Sequence, residues 1–165
     1  MTGYTRIAAV AIAALCLVFA WRSWTSNDER AVRNRLDALT ADVNTTVSEG
    51  LGTVVHAADI GSYFTEDVVV DLGEGAALIV GRATLVGMAS RLQRRTAAFR
   101  LRFDDVGVRF GPEKITADVA LTASFVRRDE GADDESMDAR EFTLAITKRS
   151  GVWRIARVTA VDTLR

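Results

Sequence analysis

The most constraining feature of the sequence is a change in its hydrophobic period near Ala97. Before this point, apolar residues recur every three or four positions, as they do on one face of a helix. After it, they alternate with polar or small residues, as in strands with one buried face. A chain that changes period once in this way is predicted to place helices first and long strands last, packed as α+β layers around one core.

The first part of the chain predicts three helices. The longest carries apolar residues at steps of four, three, four and four and ends at Gly50, which suits a C-cap. The helices are predicted at Asp28–Glu49, Val54–Phe64 and Arg82–Arg94. Two short strands, Val68–Val70 and Ala76–Val80, are expected between the second and third helices because a glycine-rich turn separates two runs of strand-forming residues.

The second part predicts four strands, at Phe99–Phe110, Ile115–Phe125, Phe142–Ile146 and Val152–Val161. Asp104 and Asp105 interrupt the alternation of the first, as a β-bulge would. Residues Asp129–Asp138 contain six acids in ten and predict a solvated hairpin loop. Ser150 and Gly151 predict a tight turn before the last strand.

The N-terminal segment is apolar and uncharged from residue 7 to residue 21, IAAVAIAALCLVFAW. The stretch from Tyr4 to Trp24 is long enough to cross about 30 Å of hydrocarbon at about 1.5 Å per residue, and its aromatic ends suit the membrane interface. Bulky residues after the run disfavour signal-peptide cleavage, and Leu15 before Cys16 disfavours a lipoprotein signal. We therefore expect a single-pass transmembrane signal anchor over residues 1–24.

A linker at residues 25–29 and one domain at residues 30–165 are expected to follow this anchor. Two signals for its orientation conflict. The count of arginines on each side favours a cytoplasmic domain, whereas a short charged segment before an apolar run is typical of an export signal. Because acids are interleaved with the arginines after the run, we expect the domain on the extracytoplasmic, periplasmic side.

Composition excludes several classes of protein. Acidic and basic residues nearly balance, 22 against 21, so we expect no binding to nucleic acid. The sole cysteine is Cys16 and the sole histidine is His56. An intrachain disulfide is therefore ruled out, as are the usual cysteine- or histidine-rich zinc sites. We expect no metal and no cofactor.

Three motifs resemble the nuclear transport factor 2-like (NTF2-like, or SnoaL-like) superfamily. They are Tyr63–Asp71 with sequence YFTEDVVVD, Val80–Leu85 with sequence VGRATL, and Lys148–Ile155 with sequence KRSGVWRI. The resemblance covers about residues 30–165. It implies a cone of three helices packed on a curved, mostly antiparallel sheet, here placed after one N-terminal transmembrane helix.

The resemblance also suggests where catalytic residues would lie. Steroid isomerases of this superfamily use a carboxylate on the first strand as the base, and Leu72 falls at that position, with Asp71 one residue early on the opposite face. Thr143 falls where an acid would stabilise the oxyanion. Asp71, Thr143 and His56 are thus weak catalytic candidates. Scytalone-dehydratase-like chemistry needs paired histidines, which one histidine cannot supply.

Other candidate residues each have a structural alternative. His56 is either a general base or a structural histidine. Asp104 and Asp105 either form a carboxylate pair with Asp71 or face water. Five arginines either bind an anion or form a solvated face: Arg91, Arg94, Arg95, Arg100 and Arg102. Four residues are predicted to line an apolar ligand pocket, although each could equally belong to the core: Leu72, Phe103, Phe125 and Trp153.

The resulting functional prediction is a membrane-tethered, non-enzymatic domain. It would bind a protein partner or an apolar small molecule in an assembly or accessory role in the cell envelope. The alternative is an isomerase- or dehydratase-type enzyme acting on a small apolar substrate in the cone. A third hypothesis is a homodimeric structural module with a filled cone.

Overall fold

The computed structural model describes residues 27–45, 51–73, 75–93, 96–129 and 136–161. Three helices lie in this part of the chain: α1 over residues 27–44, α2 over Leu51–Gly61 and α3 over Arg82–Gln93. The chain divides into two compact units, Met1–Asn34 and Arg35–Arg165. No helix within the described ranges has the length and apolar character needed to cross a membrane. The anchor predicted over residues 1–24 lies outside those ranges.

Six strands form one sheet in the order β2-β1-β6-β5-β4-β3. The strands are β1 at Phe64–Asp71, β2 at Ile79–Val80, β3 at Thr96–Phe110, β4 at Thr116–Asp129, β5 at Ser136–Arg149 and β6 at Val152–Ala160. The pairing of β1 with β6 is parallel, and the other four pairings are antiparallel. The predicted α+β architecture, with three helices and a mostly antiparallel sheet, is confirmed.

The boundary between α2 and β1 differs from its prediction. The second helix was expected to continue to Phe64, but it ends at Gly61. The backbone N–H of Ile155 donates a 2.9 Å hydrogen bond to the carbonyl of Tyr63, and Phe64 pairs with Ile155. The Tyr63 N–H still bonds to the Ile60 carbonyl at 3.2 Å, but the Tyr63 carbonyl and Phe64 have their partner in the last strand, so the chain leaves the helix before Phe64.

The predicted bulge and turn are both present. Pairing with β4 shifts between Asp104 and Gly107, and Asp105 takes a φ of 53°. Ser150 and Gly151 have φ values of 51° and 79°, as a two-residue hairpin turn of type I′ requires. Both the bulge and the turn could be predicted from the sequence because each needs particular residue types at particular positions.

The prediction of an acidic loop over Asp129–Asp138 is wrong at both ends, where the structure has strands. Strand β4 continues to Asp129 and β5 begins at Ser136, and Arg127 pairs with Ser136. Backbone pairing between adjacent antiparallel strands does not require apolar side chains, so charged residues can extend an exposed hairpin. Residues 130–135 lie outside the described ranges.

The two faces of the sheet differ sharply. Val68, Val70 and Ile79 form a buried cluster against which Leu85 of α3 packs, together with Val158 of β6. Leu144 pairs with Val158, and Val119 pairs with Leu144, so these buried residues share that face. We call it the helix side and the opposite surface the outer face. Alternation along the strands then assigns each side chain to one of the two.

Candidate ligand-binding site

Three phenylalanines meet on the helix side of β3, β4 and β5. The rings of Phe125 and Phe142 lie 6.3 Å apart, edge to face at 80°. Phe103 pairs with Ala123, two residues from Phe125 on the same face. Phe142 is buried, but Phe103 and Phe125 are only half-buried. This aromatic cluster, Phe103, Phe125 and Phe142, therefore leaves apolar surface accessible at one end of the sheet.

The edge of the aromatic cluster is fixed by Asn44 at the end of α1. Its Nδ2 donates a 2.8 Å hydrogen bond to the carbonyl of Leu101, and its Oδ1 accepts a 2.6 Å bond from the Leu101 backbone N–H. Leu101 is the cross-strand partner of Phe125. Because β3 is an edge strand, the Asn44 amide takes the place that a further strand would occupy.

An ion pair lies on the β5 side of the aromatic cluster. Arg140 pairs across the strands with Ala123, and Asp138 pairs with Phe125. The Arg140 Nε and the Asp138 Oδ2 are 3.5 Å apart, with side chains 58% and 62% exposed. Such an exposed pair contributes little to stability. It gives the cluster a polar, solvated rim.

A second cluster of polar groups surrounds Tyr63, between α2 and β1. The Tyr63 hydroxyl donates a 2.5 Å hydrogen bond to Asp42 Oδ2, and the Arg35 guanidinium carbon lies 3.9 Å from the centre of the tyrosine ring. Burial of the phenol, and then its bond to Asp42, raise the pKa of Tyr63 to about 12. The Tyr63 hydroxyl therefore stays protonated and hydrogen-bonded to Asp42. This suits a structural role, joining α1 to the start of β1, better than the role of an acid catalyst.

The two candidates at the end of β1 do not join the aromatic cluster. Asp71 Oδ1 accepts a 3.0 Å hydrogen bond from the backbone N–H of Gly73, and Gly73 has a φ of 72°. This carboxylate stabilises the turn after β1. Leu72 is 39% exposed and lies outside the strand.

Thr143 lies on the other side of the sheet from the aromatic cluster. Its neighbours in sequence, Phe142 and Leu144, are buried on the helix side, whereas Thr143 is exposed. It pairs with Ala120 on one side and Thr159 on the other. The sheet therefore separates this hydroxyl from any ligand held by the aromatic cluster.

Trp153 is buried at the other end of the helix side. It is 3% exposed, and its ring lies 5.7 Å from that of Phe110. The Lys148 Nζ lies 5.4 Å from the centre of the ring. Of the four residues predicted to line a pocket, the structure brings together Phe103 and Phe125, while Trp153 and Leu72 lie elsewhere.

His56 is half-buried on α2. Its Nε2 is enclosed and has no hydrogen-bond partner within the described part of the chain. Ala57 and Ile60 are buried on the same helix. The geometry places no carboxylate or hydroxyl against this nitrogen, so it does not define an acid–base pair.

The predicted carboxylate pair is wrong. Asp71 is on β1 and Asp104 on β3, and three strands separate them, which amounts to roughly 19 Å at about 4.8 Å per strand. Asp104 instead accepts from Arg102 at 2.9 Å and from Ser124 at 3.4 Å.

The predicted anion-binding patch of five arginines is only partly described. Arg102 is paired with Asp104, and the side chains of Arg91, Arg94 and Arg95 lie outside the described set. Among the described residues, no three potential ligands are grouped to hold a metal.

The fold and the sequence identify the class of protein. Helices on one face of a six-stranded mixed sheet, with β1 parallel to β6, define an NTF2-like domain. A family model described as a SnoaL-like domain matches residues 25–159. The chain belongs to that family.

Solved structures with the same fold include proteins of several descriptions. A proposed scytalone dehydratase from Novosphingobium aromaticivorans has a TM-score of 0.71 and 13% identity, over 85% of this chain and 87% of that one. An NTF2-like protein with a cystatin-like fold from the same organism has a TM-score of 0.66 and 15% identity, over 86% of each chain. A proposed NTF2-like dehydratase from Streptomyces avermitilis scores 0.67 at 14% identity, over 85% and 99%. At these identities the likeness shows the fold alone. No curated protein matches the sequence.

Two features of the site were not predicted from sequence. Arg35 and Asp42 lie seven residues apart, on one face of α1, and this spacing was available as a signal. Their partner Tyr63 is distant in sequence, and nothing local links them. The bond from Asn44 to Leu101 spans 57 residues and has no sequence signature.

Proposed function

We propose that this SnoaL-like domain binds a small apolar ligand at the aromatic cluster and performs no isomerase-type chemistry there. The observation that carries the proposal is the partial exposure of two neighbouring aromatic side chains, Phe103 and Phe125, on the helix side of the sheet. Aromatic rings prefer offset or edge-to-face partners, and the half-buried ring of Phe103 can offer such a contact to a flat apolar group. A flat, apolar molecule is the class of ligand that fits.

The surroundings of the candidate catalytic groups support binding over catalysis. A general base has to reach the proton that it removes, within about 3 Å or through one water. Asp71 is engaged by Gly73, and Thr143 lies on the outer face. The polar groups described beside the aromatic cluster include the Asn44 amide, already bonded to Leu101, and the exposed Arg140–Asp138 pair.

The proposal is tested with N-phenyl-1-naphthylamine, a neutral probe whose fluorescence rises in apolar surroundings. Phe125→Leu and Phe103→Leu should each weaken its binding by about 2- to 12-fold, the equivalent of losing one aromatic contact of about 0.5–1.5 kcal/mol. Phe110→Leu is the matched control, because Phe110 is also a half-buried ring of β3 but lies at the Trp153 end. Equal affinity for the wild type and all three variants would exclude the aromatic cluster as the site.

We propose further that the N-terminal segment anchors the domain to a membrane, with the domain on the extracytoplasmic side. The support is the uncharged run over residues 7–21 and the bulky residues that follow it. Intact-mass measurement of membrane fractions tests the anchor, since a mature chain lacking the first 20 or so residues would show cleavage. Protease added outside sealed cells tests the orientation.

A dehydratase is the second candidate function. It is favoured by the Nε2 of His56, which is buried without a hydrogen-bond partner among the described residues, since such unpaired polar atoms occur at catalytic sites. It is also in keeping with the two structural relatives described as proposed dehydratases. Loss of water from small hydroxylated apolar compounds should be assayed for the wild type and for His56→Gln, with scytalone left out because one histidine cannot supply its dehydratase chemistry. Turnover abolished by His56→Gln would replace the binding proposal, and absence of turnover on every compound would remove this alternative.

A further inference from the structure

The cover over the helix side of the sheet ends within β5, between Phe142 and Arg140. Phe142 is 7% exposed, whereas the side chains of Arg140 and Asp138 are 58% and 62% exposed. These three residues alternate along the strand and therefore share the helix side. The aromatic cluster thus lies where the covered part of the sheet meets solvent. A ligand bound there has one end among buried rings and the other end in water.

Arg140 lies in the same row of the sheet as Phe103. Phe103 pairs with Ala123, and Ala123 pairs with Arg140, so one methyl side chain separates the phenyl ring from the base of the arginine. The two outer strands of this row are about 10 Å apart, which is two strand spacings of about 4.8 Å. A flat aromatic molecule with one polar end can bridge this span.

The guanidinium of Arg140 is held loosely. Its Nε lies 3.5 Å from the Asp138 Oδ2, whereas Arg102 contacts Asp104 at 2.9 Å. A charge-assisted hydrogen bond from nitrogen to a carboxylate is about 2.7–2.9 Å long. In the described part of the chain, no carboxylate lies closer to this guanidinium than Asp138. Arg140 therefore offers a cation whose present contact is longer than an optimal one.

We propose that the ligand of the aromatic cluster is an aromatic carboxylate, with its flat ring system against Phe103 and Phe125 and its carboxylate paired with Arg140. This inference rests on the proposed function and adds the charge and the orientation of the ligand. A guanidinium binds a carboxylate through two parallel N–H···O bonds, which match the planar shape of both groups. The ligand carboxylate replaces the loose contact with Asp138, and the apolar end points toward the covered ring of Phe142.

The acidic hairpin next to Arg140 restricts which anions this site accepts. Residues 129–138 contain six acids, whose charge opposes a ligand with a high negative charge. This repulsion is screened over about 8 Å at physiological ionic strength, whereas a bidentate contact acts at hydrogen-bond distance. A single carboxylate on a large apolar body therefore fits the site better than a phosphate or a dicarboxylate.

Calorimetric titration of the full chain with 1-naphthoate and with its neutral amide, 1-naphthamide, tests the proposal. The two probes share one ring system, so the wild type should bind naphthoate at least about tenfold more tightly. Arg140→Gln should weaken naphthoate binding about tenfold and bring the two affinities to within about twofold of each other. Asp138→Asn should strengthen naphthoate binding by about 2- to 5-fold, because it removes the competing carboxylate. Phe125→Leu should weaken both probes alike.

Arg157→Gln is the matched control, because it removes the same charge at an exposed position of β6. Arg157 lies on the outer face, since the next residue, Val158, packs on the helix side. This variant should leave both affinities unchanged, and circular dichroism checks that each variant folds.

The outcomes separate this proposal from the proposed function. Equal affinity of the wild type for the two probes, or equal weakening of both by Arg140→Gln, would overturn the carboxylate proposal. If N-phenyl-1-naphthylamine and naphthamide bind and naphthoate has no advantage, the proposed function stands and only the charge assignment fails. Failure of every probe to bind the wild type would remove both.

Discussion

At the scale of single residues, Asn44 makes the bond with the clearest consequence. Its amide donates to and accepts from the backbone of Leu101, and this bidentate contact fixes the end of α1 to an edge strand. Asn44→Ala removes both hydrogen bonds and should lower the free energy of unfolding by about 1–3 kcal/mol. Urea denaturation measures the change as a lower midpoint with an unaltered slope.

Asn44→Asp is the informative control for this bond. A carboxylate still accepts from the Leu101 N–H but repels the Leu101 carbonyl, so its loss of stability should equal or exceed that of Asn44→Ala. Thr45→Ala should cost little, because the exposed Thr45 hydroxyl bonds to the nearby Ala41 carbonyl of the last turn of α1. Equal stability of Asn44→Ala and the wild type would show that water replaces the amide without loss.

Tyr63 gives the domain a defined alkaline response. Burial and the bond to Asp42 raise its pKa in the folded chain to about 12, above the ordinary value of 10.0, so the folded state keeps a proton that the unfolded state releases between these values. The contribution of Tyr63 to the free energy of unfolding, about 2–3 kcal/mol, is therefore fully present below about pH 10 and is lost as the pH rises toward 12. Tyr63→Phe should be less stable at neutral pH and should lack this additional alkaline loss.

Absorbance at 295 nm provides a direct measurement of the Tyr63 titration. The wild type has two tyrosines, Tyr4 and Tyr63. A titration step near pH 12 should disappear in Tyr63→Phe and persist in Tyr4→Phe. Persistence of that step in Tyr63→Phe would mean that the phenol is not held by burial and Asp42.

Side-chain roles were the least predictable feature at this scale. Strand alternation predicts that Phe103 and Phe125 face the same way, and in the structure they lie on the same face of neighbouring strands. It could not reveal that the Asp71 carboxylate would bond to the backbone of Gly73, because a carboxylate at the end of a strand suits a turn and a catalytic site equally. Bonds between residues far apart in sequence need the assembled fold.

At the scale of secondary-structure elements, the contact of α2 with α3 depends on Gly61. A Cβ built on Gly61 would lie 2.9 Å from Val86 Cγ2, closer than side chains normally approach. Gly61→Ala should therefore destabilise the domain by about 1–3 kcal/mol, even though alanine favours helices. Thermal unfolding would report the loss as a lower midpoint.

Gly87→Ala is a matched control for this contact. Gly87 also lies in a helix, but a Cβ there meets nothing within 4 Å. Without a steric clash, the higher helix propensity of alanine should raise the free energy of unfolding by about 0.5–1 kcal/mol. Opposite signs for the two substitutions are the expected result, and stabilisation by both would show that Val86 moves aside without loss.

Element types were largely predictable, and element ends were not. The bulge at Asp104 and the turn at Ser150–Gly151 follow from local residue chemistry. Gly61 has a low helix propensity, yet glycine is required there because another helix approaches closely. The extent of β4 and β5 into the acidic segment depends on pairing with each other, which local composition does not report.

At the scale of the whole sheet, topology separates two surfaces that the sequence interleaves. Phe142 and Thr143 are adjacent in sequence, but one belongs to the aromatic cluster and the other to the outer face. Substitutions at neighbouring positions of β5 should therefore differ in their effect, with ligand binding weakened at Phe142 and unchanged at Thr143. The resemblance to isomerases aligned Thr143 with a catalytic position, and the observed alternation places it away from the proposed ligand.

The topology also makes the fold depend on the last strand of the chain. β6 lies between β1 and β5, so it joins the first strand to the long antiparallel strands. It contributes Trp153 and Ile155 to the core, 3% and 4% exposed.

A chain ending after Gly151 should lose cooperative unfolding by denaturant, because β1 would lack its parallel partner and both buried side chains would be missing. A chain ending after Val161 keeps all six strands and should unfold as the wild type does. Adding a peptide of residues 152–165 to the shorter chain should restore a cooperative transition, whereas cooperative unfolding of the shorter chain alone would mean that β1 and β5 can close the sheet without β6.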